Sequence, residues 1–246
     1  MTKWVNIRKQ RVNEARQSGE QLVARGTRLV AFGAHPDDLE YYVGGTLCRY
    51  ARQGGTVIAV VATDGELGGR SRSLGAIRRN EQVRAACILG YEEVLFLGLP
   101  DRGLRRVVSL SDTVREVLDR SKPDIVLSFD PDRPRPPYFH PDHRAIGKAV
   151  VSVCRRRSVV VETYLFLSLT PNTVVDVSPV WEEKMAALRV HKTQQLGLQL
   201  PRVVRPLWKS MGSDSGFPLP PRMEWLRSIS TKKLKVRKQS TMMAGC

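Results

Sequence analysis

The sequence predicts an α/β fold with a largely parallel sheet and helices on both faces. Three observations carry the prediction. Short runs that are apolar throughout, at 29–34, 56–62, 94–97 and 125–129, read as strands buried on both faces. Helical stretches separate them, at about 40–53, 76–89 and 111–120. Polar side chains gather in the loops that follow the first and fourth runs, beyond the strand ends where open α/β sheets keep their ligand sites.

Taken in order, residues 3–25 are charged and read as a surface helix, without the apolar segment of a signal peptide. The run 29–34 stops at His35-Pro36, because proline has no backbone donor and restricts the residue before it. The helix after it ends at Gly54-Gly55. Residues 56–62 are rich in β-branched side chains and end at the polar turn Thr63-Asp64-Gly65. Residues 68–75, rich in Gly, Ser and Arg, read as a mobile loop with neither P-loop nor G-x-G-x-x-G spacing. The helix 76–89 ends at Gly90, and Pro123 closes the helix 111–120 before the strand 125–129. Four prolines in 130–137 make a rigid irregular loop. A helix at 145–154, strand-like stretches at 159–168 and 173–177, and a helix at 180–195 follow. Prolines at 201, 206, 218, 220 and 221 break any regular pattern after Gly197, and no element is assigned there. The alternation, without internal repeats, describes a single Rossmann-like domain at 28–200. A helical extension at 1–27 precedes it and a divergent basic segment at 201–246 follows.

Composition sets the class. Apolar residues make up 41% of the chain and charged residues 26%, as in soluble globular proteins. No apolar run approaches the roughly 20 residues of a membrane span, so a cytoplasmic protein is expected. Cys48, Cys87, Cys154 and Cys246 lack metal-type spacing; the first three read as small core fillers. Half of the net charge of +16 lies in residues 201–246, which hold ten Lys/Arg against two Asp/Glu. Such a tail reads as a solvated segment, with an anionic partner as the other reading.

The chemistry gathers in two short stretches. His35, Asp37 and Asp38 fall within four residues. An imidazole and a carboxylate three positions apart suit a divalent metal such as zinc, which in catalytic sites takes three protein ligands and leaves a position for water. Asp37, unable to point with Asp38, is free to serve as a general base. A helix cap is the bland reading of the Asp pair. The second stretch, His140-Pro141-Asp142-His143, offers the missing ligand, and three of the four histidines lie in these two places.

The two stretches, Ala34-His35-Pro36-Asp37-Asp38-Leu39-Glu40 with Gly44-Gly45-Thr46-Leu47, and His140-Pro141-Asp142-His143-Arg144, resemble the LmbE-like (PIG-L) zinc-dependent N-acetylglucosaminyl deacetylases. Thr63-Asp64-Gly65-Glu66, Arg78-x-x-Glu81, Leu99-Pro100-Asp101 and His191-Lys192-Thr193-Gln194 match as well, in the expected order over about residues 28–196. The resemblance implies a metal-dependent hydrolase that removes an acetyl group from a small N-acetylated amino sugar or sugar conjugate. It implies His35, Asp38 and His143 as metal ligands, with Zn2+ bound and Fe2+ also accepted by such N/O ligation. Asp37 would be the base, and a protonated His140 would face the developing oxyanion. Asp142 would orient His140 or a metal ligand. Arg78 and Asp101 fall at sugar-contacting positions, with Arg79 the alternative to Arg78, and His191 falls near the cleft. One departure stands out: family members continue past His-x-x-Gln with an aromatic-rich, acidic stretch, where this chain is basic and proline-broken. The alternatives are an amidase on a larger thiol–sugar or natural-product conjugate, and a catalytically inactive basic binding protein on the same fold. A homo-oligomer is compatible with either.

Overall fold

Seven strands form one sheet in the order β3-β2-β1-β4-β5-β7-β6. They are β1 (Arg28–Gly33), β2 (Thr56–Thr63), β3 (Glu93–Leu99), β4 (Ile125–Phe129), β5 (Glu162–Phe166), β6 (Thr173–Asp176) and β7 (Met223–Ile229). The first five in that order run parallel, and β7 lies antiparallel to both β5 and β6. The helices are α1 (Thr2–Val23), α2 (Asp38–Arg52), α3 (Leu74–Leu89), α4 (Leu110–Ser121), α5 (Pro141–Arg156) and α6 (Trp181–Val190). This computed structural model describes residues 2–69, 71–132, 140–156, 161–194 and 222–229, with side chains from residue 10 onward. The prolines and aromatics of 133–139 and the basic tail after Ile229 lie outside the described residues.

The central strands are buried on both faces because their side chains are apolar on both. Val30 pairs with Ile58 on one side and Val126 on the other, and all three are buried. Amphipathic helices cover the sheet: α4 buries Leu110, Val114 and Leu118 at four-residue spacing. Lys122, at φ 46, ends α4 just before Pro123, and Gly90, at φ 76, ends α3 with its N–H returned to the last turn.

Strand order reverses between β1 and β4. From β1 the chain builds outward through β2 and β3, then crosses back to β4 and β5. Loops leaving β1 and β4 therefore diverge from a common crevice, the place where doubly wound sheets bind ligands. His35 follows β1 on the first of them; His140 ends the second, with Asp142 and His143 in the first turn of α5.

Four features differ from expectation. Helix α5 begins at Pro141, not at 145, because proline suits the first helical position, where no N–H is needed. His143 thus stands on a helix. Cys87 is exposed on α3, whereas Cys48 and Cys154 are buried. Helix α1 packs on β6, burying Ala15, Leu22 and Val23. A Cβ at Gly19 would lie 1.9 Å from the Val174 carbonyl oxygen, so only glycine allows this approach. Finally, residues 223–229, where no element was assigned, form a strand inside the sheet; a division at residue 200 separates two strands of one layer.

Strand β7 also carries a buried carboxylate. Glu224 accepts the N–H groups of Gly45 at 2.9 Å and Thr46 at 2.7 Å, both within α2, and pairs with Lys184 of α6. Lys184 in turn donates to the Tyr41 carbonyl at 3.0 Å. The pair thus engages both ends of the rung that ordinarily joins Tyr41 to Gly45 in a helix. Glu224→Ala would remove the carboxylate that faces a buried ammonium and two helix N–H groups, a loss of about 3–5 kcal/mol. A thermal melt should fall by on the order of 10 °C; an unchanged melt would show that this ion pair contributes nothing to stability.

Candidate active site

His35 follows the last residues of β1, and Pro36 breaks the strand. Asp37 then takes φ 106, a backbone conformation rare for a side chain with a Cβ and costing on the order of 1–3 kcal/mol. The turn separates the two aspartates. Asp38 folds back under the strand: Oδ2 accepts the N–H groups of Ala34 at 2.9 Å and His35 at 2.8 Å. Its other oxygen lies 3.0 Å from His143 Nε2. The Asp37 carboxylate lies instead 3.5 Å from Arg78 Nη2.

The second loop brings its groups from β4. Phe129, the last residue of that strand, stacks on the His143 ring with centroids 4.0 Å apart and planes 9° from parallel. The His140 ring meets His35 edge-on at 4.4 Å. Nδ1 of His140 accepts the Asp142 N–H at 3.3 Å, so the neutral ring carries its proton on Nε2. Asp142, fully buried, accepts the Leu104 N–H with one oxygen and sets the other 3.5 Å from His35 Nε2. Asp101 approaches the same nitrogen at 3.2 Å.

Electrostatics divide these groups by task. Burial works against the charged form of His35, but Asp101, Asp142 and Asp38 outweigh it and hold the imidazole well above its ordinary value. Burial likewise opposes ionisation of Asp38, yet His143 and His35 hold it well below the carboxylate range. Asp101 falls to about 2 despite burial, through His35 and the backbone N–H groups of Leu67 and Arg102. Asp37 goes the other way: burial, then repulsion from Asp38, lifts it to about 6, with Arg78 in opposition. Burial and the neighbouring His35 and His143 lower His140, which favours the neutral ring.

His35, Asp37, Asp38, Asp101, His140 and His143 face a cavity of about 430 Å³, within the range that small-molecule sites occupy. Donor atoms of His35, His140 and His143 lie within 4.8 Å of one another, and Asp38 touches two of those rings. Imidazole nitrogens beside a carboxylate at a buried cavity wall are the N/O donor set of zinc and iron sites. Among the described residues, Nδ1 of His143 has no hydrogen-bond partner, and Asp142 backs His35 as carboxylates back metal-bound imidazoles. The residues fit a divalent cation.

The model of the family PIG-L, GlcNAc-PI de-N-acetylase, matches residues 30–154. The chain belongs to this family. It is 29% identical over 184 residues to a probable N-acetyl-alpha-D-glucosaminyl L-malate deacetylase 2 of Bacillus subtilis, covering 67% of this chain and 81% of that relative. It is also 29% identical over 224 residues to a 1D-myo-inositol 2-acetamido-2-deoxy-alpha-D-glucopyranoside deacetylase of Saccharomonospora viridis, covering 65% of this chain and 82% of the other. Among solved structures, the N,N'-diacetylchitobiose deacetylase from Pyrococcus horikoshii superimposes with a TM-score of 0.72 at 26% identity, covering 83% of this chain and 84% of that one.

Of the residues that the PIG-L resemblance singles out, His35, Asp37, Asp38, Arg78, Asp101, His140 and His143 all border the cavity. Asp142 stands behind His35. Arg78 is buried, and its guanidinium is engaged by the carbonyl oxygens of Gly65 and Pro36 at 2.9 and 2.6 Å. Gly65 has φ 64 and a Cβ there would meet that guanidinium at 2.2 Å, so glycine makes room for it. Arg79, itself exposed, points away, paired with half-buried Asp64 and lying over the Phe96 ring at 4.3 Å. His191 is fully buried behind the wall, 3.4 Å from Glu40. Sequence reasoning missed Tyr41, Tyr42 and Arg102 on the cavity wall and Gln82 beneath it. Arg102 carries φ 56, which no residue pattern around it announces.

Proposed function

We propose that this protein is a zinc-dependent hydrolase that removes the acetyl group from an N-acetylglucosamine conjugate. One observation carries the reading: a carboxylate lifted to about 6, Asp37, shares a cavity with a cluster of imidazoles and a strongly acidic carboxylate at the crevice between β1 and β4. His35, Asp38 and His143 would hold the metal, and iron fits the same donors. When bound, the metal polarises the amide carbonyl and acidifies the attacking water.

The chain's own groups do the rest. Asp37 accepts a proton from the water as its oxygen bonds to the amide carbon. His140 donates from Nε2–H to the carbonyl oxygen as negative charge develops there. Asp37 then returns its proton to the departing nitrogen, the C–N bond breaks, and acetate and the free amine leave. Asp101 and Asp142 keep His35 in one ring orientation. The substrates named for the relatives share the acetylated glucosamine and differ in what is attached to it, malate or inositol. The shared acetylated sugar supports an N-acetylglucosamine conjugate here. A catalytically inactive binding protein gains no support from a site in which base, donor and ligand set face one cavity.

The test is acetate release by zinc-loaded protein from N-acetylglucosamine linked to malate, to inositol and to a second sugar. Release from at least one, lost on chelation, is expected. No release from any of them by protein holding one zinc per chain would overturn the reading.

A further inference from the structure

The peptide bond between Pro36 and Asp37 is gripped at both ends by one helix. Its carbonyl oxygen accepts a hydrogen bond from Arg78 Nη2 at 2.6 Å, and its N–H donates to Gln82 Oε1 at 3.0 Å. Arg78 and Gln82 are four residues apart on α3, so both side chains leave the same helix face one turn apart. Both are buried, Gln82 completely. Gln82 is itself anchored: its Nε2 donates to Glu40 Oε1 at 2.8 Å, and the other oxygen of Glu40 lies 3.4 Å from His191 Nε2. Glu40 and His191 expose no surface, and Glu40 sits in the first turn of α2, the helix that Asp37 caps.

The geometry matters because of the backbone of Asp37. Its φ of 106 is rotation about its own N–Cα bond, measured from the plane of the preceding peptide. A loop left free would turn that peptide to relieve the strain, and the carboxylate would swing with it. Holding the peptide by carbonyl and N–H together removes this route. The Gln82 amide is useful in one orientation only. Reversed, its NH2 would oppose the Asp37 N–H and its carbonyl would oppose the Glu40 carboxylate.

We propose that Gln82 and Arg78 form a clamp on the Pro36–Asp37 peptide that positions the Asp37 carboxylate, with Glu40 and His191 backing Gln82. The proposal rests on the hydrolase reading, since the clamp affects rate only through Asp37. Gln82 is the cleaner probe, because Arg78 also borders the cavity.

Gln82→Met keeps the side chain's length and removes both hydrogen bonds. The expected result is a kcat at least about tenfold lower, with KM within about twofold and one zinc still bound, because a misplaced catalytic group loses orientation rather than binding. In an Asp37→Asn background the same change should cost less than about twofold more, since coupled residues are not additive. Wild-type kcat in Gln82→Met, or an equal loss in both backgrounds, would overturn the clamp. Should Gln82→Met fail to fold by thermal melt, Glu40→Gln and Glu40→Leu take its place. The first keeps an acceptor for Gln82 and should lose less kcat than the second; equal losses would overturn the proposal. An Asp37→Asn protein with wild-type turnover would instead refute Asp37 as the base, and the clamp with it.

Discussion

Replacing Asp37 with Asn should lower kcat by about 10²–10⁴-fold, the usual contribution of a positioned general base, while zinc stays bound. The amide keeps the shape of the carboxylate and its place beside Arg78, 3.5 Å away, but has no lone pair basic enough to take the water's proton. The same residue sets a pH dependence. A base must be ionised to work, so turnover is present above its pKa and lost as pH falls through it. Burial and Asp38 lift Asp37 to about 6, and a bound cation pulls it down, so the acidic limb of kcat should lie at or below about 6. A pH–rate profile on the wild type and metal analysis on the variant check both points. Near-normal turnover in Asp37→Asn would mean that another group takes the proton.

A complete loss of activity is expected from Asp38→Asn, His35→Ala and His143→Ala, each accompanied by loss of the metal. Asp38→Asn is the most informative of the three. Its amide oxygen can still accept the Ala34 and His35 N–H groups that Asp38 Oδ2 accepts at 2.9 and 2.8 Å, so the turn is kept. What disappears is the charge of a carboxylate held well below its usual range and in contact with both imidazoles. Elemental analysis should show about one metal per wild-type chain and a small fraction of that in each variant. Unchanged metal in all three would move the site to other residues.

How much of this was legible in the sequence depends on how local each feature is. Strands β1, β2 and β4 were readable because burial on both faces demands continuous apolar side chains, and 29–34, 56–62 and 125–129 supply them. The site was readable because its polar groups are concentrated in two short stretches beside strand ends. The helix expected from 145 starts instead at Pro141, because proline suits a first helical position that needs no N–H. Gln82 was invisible for a different reason: a glutamine in a charged helix looks like surface, and only the Pro36–Asp37 peptide packed against it gives it a task. Strand β7 was invisible because its partners are remote. Thr163 pairs with Ile229, and Glu224 on the same strand binds the N–H of Gly45; neither relation leaves a mark on the residues around 223–229.

That last strand sets a timetable for folding. A ribosome releases the chain from its amino end, so β1, β2, β3 and β4 emerge in order and can pair as they appear, each with a neighbour already made. Strand β6 cannot, because among the sheet's hydrogen-bonded neighbours it pairs with β7 alone. Until residue 229 is free, β5 has an open edge and β6 has no strand to join. A contact such as Gly45 with Glu224 spans 179 residues, and closing so long a loop is slow compared with the local steps before it. The nascent protein therefore spends an interval with five of seven strands in place and an exposed edge, when pairing with another chain competes with its own completion. A chaperone's protection would count for most in that interval.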